Sequence, residues 1–177
     1  MSRVRVSALR EEDMSRYCEI YRDPRVAAPF GLPEWEESDT RAAFDSALAF
    51  PQEQGRVFAL RPADAGKLLG VLCVGEWDRH SRHVTLAYLL CPTVWGQGLM
   101  RECLSYVLPW LFAGRLGEAI YRVQAWVLAS NRRSRALLKR LGFEHEETLR
   151  GLFHQTASHH DVFNYGLLVT DRLGIRI

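Results

Sequence analysis

The chain has 177 residues, of which 47% are hydrophobic and 25% charged, as expected for one domain with a single core. Its 23 basic and 21 acidic residues are spread along the chain and give a formal charge of +2, which argues against nucleic-acid binding. No apolar stretch suits a signal peptide or a membrane span, and the four cysteines form no CxxC pair. We therefore expect a cytoplasmic protein with reduced thiols, no membrane partner and one domain over residues 1–177.

The N-terminal half predicts one strand, two helices and then three strands. The strand Val4–Ala8 precedes a helix over residues 11–22, which ends at the Asp23-Pro24 signal. Residues 27–35 read as a loop, and the second helix, over residues 38–50, begins with Ser38 as its N-cap. Three strands with turn-forming residues between them then predict an antiparallel meander. These strands cover residues 56–60, 67–76 and 83–90.

The C-terminal half alternates between helical and extended patterns. Apolar residues at helical spacing predict a helix from Leu99 to Leu111, with Pro109 expected to kink or shorten its last turn. Residues 121–128 alternate as a strand, and a further helix opens at Asn131 and closes at Gly142. Residues 143–149 and 161–169 complete the pattern as strands. The expected fold is α/β (α+β), a mixed and mostly antiparallel seven-stranded sheet flanked by about four helices.

A glycine-containing loop joins a predicted strand to the amphipathic helix. Gly96 and Gly98 lie one residue apart, so the backbone can direct several N–H groups toward one point, and the helix adds its own unpaired donors. This arrangement predicts a pyrophosphate cradle, although the glycines alone could also serve a tight turn. The Walker pattern is absent, and the dinucleotide fingerprint would need a third glycine where Arg101 stands.

A second motif follows about 35 residues later, where a strand leads into a helix. Taken singly, Asn131 reads as an N-cap with Ser134 in the first turn. Taken together, WGQGLMRE (95–102) and NxxSxxxLxxxGF (131–143) resemble the two cofactor-binding motifs of GNAT acetyltransferases. The tail, with LRG (149–151), HDV (160–162) and YGLL (165–168), resembles the RimJ/RimL branch of that family.

The resemblance implies an enzyme that transfers the acetyl group of acetyl-CoA to a primary amine, by direct attack in a ternary complex and without a metal. In the RimJ/RimL branch the acceptor is the N-terminal amine of a protein, and a homodimer is a further expectation. Two alternatives stay open: an acetyltransferase for a small amine, such as an antibiotic or a polyamine, and an acetyl-CoA-binding protein without catalysis.

The resemblance also assigns residues to the donor. The strand backbone at 88–90 would pair with the pantetheine arm, and the loop amides at 96–100 would hold the pyrophosphate. Asn131 would bind the pantetheine, while Ser134 would face the sulfur and assist the departing thiolate. Thr93 departs from the family pattern, which often has Gln or Arg there. The implied acetyl-CoA contacts are Tyr88, Leu89, Leu90, Trp95, Gly96, Gln97, Gly98, Leu99, Met100, Asn131 and Ser134.

The general base is less well defined. Relatives often carry glutamate in the strand before the loop, at the position of Thr85 here. The candidates in this chain are Glu76, His83 and His154, of which His154 is the predicted catalytic residue because histidine titrates near neutral pH.

The acceptor side carries acids and aromatic residues. Aromatic candidates for the acceptor cleft are Phe30, Trp35 and Phe153, and acidic candidates for a cationic acceptor are Glu34, Glu36, Glu37 and Asp39. The histidine-rich segment matches no metal-ligand spacing and predicts a polar loop before the last strand. It contains His154, His159, His160 and Asp161.

Overall fold

The computed structural model describes residues 2–30, 35–155 and 158–173, and one seven-stranded sheet organises them. The strand order is β1-β2-β3-β4-β5-β7-β6, and every neighbouring pair is antiparallel except β4 and β5. The predicted mixed, mostly antiparallel fold is therefore confirmed. The strands are β1 (Val4–Ala8), β2 (Arg56–Pro62), β3 (Gly70–Asp78), β4 (His83–Leu90), β5 (Arg122–Leu128), β6 (Glu144–Gln155) and β7 (Ser158–Leu168).

The described residues contain six α-helices, two more than the approximate number expected. Residues 27–35 were predicted as a loop, but the helix α2 occupies the first part of that segment because Asp23-Pro24 starts a helix as well as ending one. Pro24 takes the first helical position, and the Asp23 carboxylate accepts a hydrogen bond of 2.9 Å from the Arg25 amide. The helices are α1 (Met14–Arg22), α2 (Pro24–Phe30), α3 (Glu37–Leu48), α4 (Leu99–Phe112), α5 (Arg132–Arg140) and α6 (Val169–Leu173).

The two faces of the sheet pack against different helices. One face, here called the α4/α5 face, buries Val84 and Leu86 of β4 with the apolar residues of α4 and α5. The other, the α1–α3 face, buries Leu89 of β4 with residues of α1 and α3, including Phe44. Successive strand residues point to opposite faces, so one strand can supply both cores. No helix of the described part is long and apolar enough to cross a membrane.

The centre of the sheet opens into a fork. The parallel strands β4 and β5 pair only along His83–Thr85 and Arg122–Gln124. Beyond this vertex β4 remains paired with β3, and β5 with β7, so each strand has one edge facing the space between them. Unpaired strand edges present backbone donors and acceptors to whatever lies beside them. The fork therefore offers an extended ligand a place beside β4.

Other element boundaries differ from prediction for local reasons. The strand predicted over 67–76 is shifted to Gly70–Asp78, because Leu68 turns into the α1–α3 core. The helix α3 begins at Glu37 and not at Ser38, since the Asp39 carboxylate accepts from the Glu36 amide at 2.9 Å. The helix α4 continues through Pro109, which lies so near its end that little is lost.

The largest correction concerns the histidine-rich segment. It was predicted as a polar loop, but His154 and His159 pair across the long β6–β7 hairpin. A register shift between Leu149 and Phe153, with Gly151 at φ 60°, interrupts the regular alternation that would have marked a strand. Val169, predicted as the end of a strand, begins α6 instead.

Candidate active site

The predicted cradle lies at the open end of the fork, directly after β4. Gly96 and Gly98 have φ of 77° and 76°, in the left-handed region that favours glycine. Gly98 is the N-cap of α4 and supplies no side chain, so the first amides of this 14-residue helix stay available. A Cβ added at Gly96 would meet no atom within 4 Å, which leaves open space above the loop. The geometry suits an anion such as a pyrophosphate.

Trp95 connects the cradle to the end of β4 and to the helix α5. Its indole N–H donates to the Leu90 carbonyl at 2.7 Å, and its ring lies 4.8 Å from the Arg133 guanidinium of α5. The Leu90 carbonyl therefore already has one partner, which limits its predicted pairing with the pantetheine arm. Arg133 places a positive charge beside the cradle, and this residue was missed because single arginines are common in the sequence.

A hydroxyl pair bridges the fork on the α4/α5 face. The Tyr88 phenol of β4 and the Ser134 hydroxyl of α5 are 2.8 Å apart, and either can be the donor. Burial raises the pKa of Tyr88 to about 12, while its hydrogen bond with Ser134 acts in the opposite direction. The phenol consequently stays protonated at neutral pH. Sequence reasoning placed Ser134 near the sulfur, but the involvement of the Tyr88 side chain was not foreseen.

Asn131 acts as the N-cap of α5, as its position indicates. Its Oδ1 accepts from the Ser134 amide at 3.1 Å, and its Nδ2 donates to the Pro29 carbonyl of α2 at 3.1 Å. The side chain thus orients Ser134 and ties α5 to α2. A contact with pantetheine would require one of these hydrogen bonds to be exchanged.

A polar chain crosses three strands at the vertex of the fork. The Gln124 amide of β5 donates to Thr85 Oγ1 of β4 at 3.0 Å, and the Thr85 hydroxyl donates to Glu76 Oε2 of β3 at 2.6 Å. Glu76 lies at a register shift of β3 and has φ 49°. Of the three candidate bases, Glu76 is the one joined to the vertex by these hydrogen bonds. Gln124 was not singled out, because its partner is 39 positions away.

Neither histidine candidate belongs to this hydrogen-bonded chain, although His83 lies at the vertex. His83 begins β4, with Nδ1 3.9 Å from Asp78 Oδ2. His154 is exposed near the tip of the β6–β7 hairpin, its ring 5.0 Å from that of His159. Within the described ranges, no group of three His, Cys, Asp or Glu side chains could hold a metal ion.

The residues predicted for the acceptor are dispersed. Trp35 stacks on Tyr21 at 5.8 Å between ring centroids and so extends the aromatic packing over α1. Phe153 is half-buried in β6. Glu36, Glu37 and Asp39 are exposed around the start of α3, with Glu37 3.7 Å from Arg22. The Phe30 side chain and Glu34 lie outside the described residues.

The cysteines are buried or half-buried, and two of them are poorly suited to act as nucleophiles. Cys18, Cys91 and Cys103 are buried and Cys73 is half-buried, and all four are free thiols. Burial, followed by the Glu76 carboxylate, raises the pKa of Cys73 to about 11. Burial raises the pKa of Cys103 to about 12. Both of these thiols stay protonated, so neither is suited to act as a nucleophile.

Comparison with known proteins supports this interpretation. The family model for the acetyltransferase (GNAT) domain matches residues 3–144. A curated Bacillus subtilis protein described as the uncharacterized N-acetyltransferase YoaA is 22% identical over 160 residues, which cover 89% of each chain.

Two solved structures share the fold at low identity. A spermidine N-acetyltransferase from Vibrio cholerae, in complex with CoA and spermine, has 18% identity and a TM-score of 0.84 over 98% of this chain and 99% of its own. A Salmonella typhimurium acetyltransferase that modifies the N-terminal serine of the ribosomal protein L7/L12 has 17% identity and a TM-score of 0.83 over 96% of both chains. The chain therefore belongs to the acetyltransferase (GNAT) domain family, and acetyl-CoA-dependent N-acetyl transfer is its enzymatic class.

Proposed function

We propose that this acetyltransferase modifies the N-terminal amine of a protein or peptide. The observation that carries the proposal is the fork, with the cradle at its open end and polar groups at its vertex. An acetyl-CoA molecule held by its pyrophosphate at 96–100 would extend its pantetheine arm along the free edge of β4. The thioester would then lie near the vertex, between the two faces of the sheet.

The hydroxyl pair on the α4/α5 face suits the leaving group. A thiol has an ordinary pKa near 8.5, below that of either hydroxyl, so the pair would stabilise the departing thiolate by hydrogen bonding and pass on the proton released by the acceptor nitrogen. Ser134 would donate to the sulfur while the Tyr88 phenol replaces that proton or orients the hydroxyl. We expect Ser134→Ala to lower kcat more than it raises the KM for acetyl-CoA, and Tyr88→Phe to act in the same direction more weakly.

The acceptor class follows from how easily the amine loses its proton. An N-terminal ammonium has a pKa near 8, so about one tenth is neutral at pH 7, against about four in ten thousand for a lysine-like amine with pKa near 10.4. The carboxylate at the vertex, Glu76, is exposed and accepts one hydrogen bond, from Thr85. An N-terminal amine makes the smaller demand on such a site. The Salmonella neighbour, which acetylates a protein N-terminus, supports this assignment.

A polyamine is the second candidate acceptor. The exposed carboxylates of Glu36, Glu37 and Asp39 at the start of α3 favour it, as does the spermine-bound Vibrio cholerae neighbour. Arg22 near Glu37 and the capping role of Asp39 reduce the charge available to a ligand.

The test compares acceptors after donor binding is established. Calorimetric titration with acetyl-CoA should give saturable binding, which Gly98→Trp should abolish by filling the cradle. Peptides with a free N-terminal serine or alanine are then assayed beside spermidine, with N-acetylated peptides as matched controls. Higher kcat/KM for the free peptides supports the proposal, whereas higher kcat/KM for spermidine favours the second candidate. Acetyl-CoA binding without turnover of any acceptor would favour a non-catalytic protein.

The base predicted from the sequence, His154, is tested separately through the pH dependence. If it removes the acceptor proton, His154→Ala should lower kcat/KM at neutral pH and change the shape of the pH profile. An unchanged profile would remove His154 from the mechanism.

A further inference from the structure

The α1–α3 face of the fork carries an arrangement that the donor site does not use. Val84 and Leu86 of β4 are buried on the α4/α5 face, so the alternating residue Thr85 points to the opposite face, where Gln124 meets it. By the same alternation Ala87 and Trp126 follow on the two diverging arms. The leaving-group hydroxyls and this second set thus lie on opposite sides of the space where the thioester would sit.

The backbone of β3 directs Glu76 to this place. The strand shifts register there, and Glu76 adopts φ 49°, a left-handed conformation that costs a non-glycine residue free energy. Because Gln124 donates to the Thr85 oxygen, the Thr85 proton is free to point at Glu76 Oε2. Among the described residues, Glu76 Oε1 has no hydrogen-bond partner. One carboxylate oxygen is therefore fixed while the other can receive a ligand proton.

Trp126 supplies an aromatic surface on the other arm. It is 53% exposed although it lies in a central strand, where large aromatic side chains are usually covered. Ala87, on the β4 arm, is also exposed and has a small side chain, which leaves room across the gap. A carboxylate and an exposed indole on one face are the groups that attract an organic ammonium, the indole through cation–π attraction.

We propose that Glu76 and Trp126 form the acceptor subsite for a primary ammonium, with Glu76 as the group that takes its proton. This inference rests on the proposed acetyl transfer and deepens it. Thr85 and Gln124 act as positioning residues, because they hold the carboxylate through hydrogen bonds. Trp126 would pack against the first carbon atoms of the acceptor.

The proton balance is complete with these groups. The ammonium gives one proton to Glu76, and the nitrogen lone pair forms the C–N bond at the thioester carbonyl. The C–S bond breaks with its electron pair going to sulfur, which receives the second nitrogen proton through the hydroxyls on the opposite face. The products are the acetylamide and the free thiol, and Glu76 returns its proton to water.

The described ionisable side chains nearest Glu76 in the sheet come from β3, β4 and β5. Cys73 on the same strand remains protonated. By register, His83 of β4 and Arg122 of β5 share this sheet face, and Arg122 is held by Glu146 of β6 at 2.7 Å. The contribution of Glu76 to the pH profile can therefore be measured by comparing wild type with Glu76→Gln and with a control variant at a distant carboxylate.

The experiment measures steady-state kinetics from pH 6 to 9 with a peptide bearing a free N-terminal serine, using Glu76→Gln, Trp126→Leu and the control Glu118→Gln. Glu118 is an exposed carboxylate on the loop after α4, where it pairs with Arg79. A positioned general base contributes about 10²–10⁴ in rate, so Glu76→Gln should lose at least about 100-fold in kcat/KM at pH 7, and less as pH rises. The KM for acetyl-CoA should not change.

Two further readouts separate catalysis from structure. Hydroxylamine is neutral at pH 7 and needs no base, so its acetylation should be nearly unaffected by Glu76→Gln. Trp126→Leu should raise the acceptor KM about fivefold with little loss of kcat, in line with an exposed cation–π contact. An active wild type with an unchanged Glu76→Gln profile overturns the inference and leaves the proposed function standing. A wild type that acetylates no acceptor overturns both.

Discussion

The left-handed backbone at Gly96 should make acetyl-CoA affinity sensitive to one methyl group. Gly96 has φ 77°, and no atom lies within 4 Å of the position that a Cβ would take, so Gly96→Ala has no steric cost from neighbours. Its whole cost lies in the backbone and amounts to about 1–2 kcal/mol for an L-residue in this conformation. The variant thus isolates the contribution of loop shape.

This cost must appear either in folding or in donor binding. If the loop keeps its conformation in the free protein, the free energy of unfolding falls by about 1–2 kcal/mol and the affinity is unchanged. If the loop relaxes, the cost is deferred until acetyl-CoA binds and Kd rises about 5–30-fold. Gly96 is exposed, so we expect relaxation and weaker binding.

Calorimetry with acetyl-CoA and urea unfolding measure the two quantities together. Gly142→Ala is the matched control, since Gly142 has φ 92° with a Cβ position 3.7 Å from Leu167 but lies after α5, outside the cradle. It should keep its acetyl-CoA affinity, whatever the change in its unfolding free energy. If Gly96→Ala changes neither quantity, the cradle does not depend on left-handed backbone and the reasoning is refuted.

Three other outcomes test the scaffold. Asp13→Asn should lower the free energy of unfolding, measured in urea, by about 3–5 kcal/mol, because it leaves the buried Arg61, 2.6 Å away, without its counter-charge. A loss of less than about 1 kcal/mol, which is typical of an exposed ion pair, would contradict this. Hydrogen bonding to Arg122 holds the pKa of Glu146 below its ordinary 4.5. The stabilisation by this pair is therefore present above pH 4.5 and is lost as the pH falls through the pKa of Glu146 in the folded protein. Arg122→Gln should be less stable than wild type at pH 7, and the difference should vanish in acid. Glu76→Gly should raise the melting temperature, because glycine adopts φ 49° without strain, and it should lower activity. A fall in both quantities would argue against stored strain at this position.

Local sequence was sufficient to identify the segments that we propose bind the donor. The glycines at 96 and 98, the cap at Asn131 and the serine at 134 lie in two short segments, so their spacing indicates both their conformation and their chemistry. The strand order β2 to β4 also followed from the short connections between these strands. These features depend on residues close together in the chain.

The second helix and the hairpin histidines were missed because their local signals were ambiguous. Asp23-Pro24 can end a helix or start one, and only the hydrogen bond to the Arg25 amide decides between them. In the hairpin, the bulge near Gly151 disrupts the alternation that identifies a strand.

The proposed acceptor subsite was decided by tertiary structure. Glu76, Thr85 and Gln124 come from three strands, and a one-residue change of register would send their side chains to the opposite face. The bulge in β3 and the short parallel contact between β4 and β5 fix that register, and both depend on how the whole sheet packs. The sequence by itself therefore determined the segments that we propose bind the donor, while only the folded sheet brought together the residues that we propose receive the amine, because their proximity arises from strand pairing across the fork.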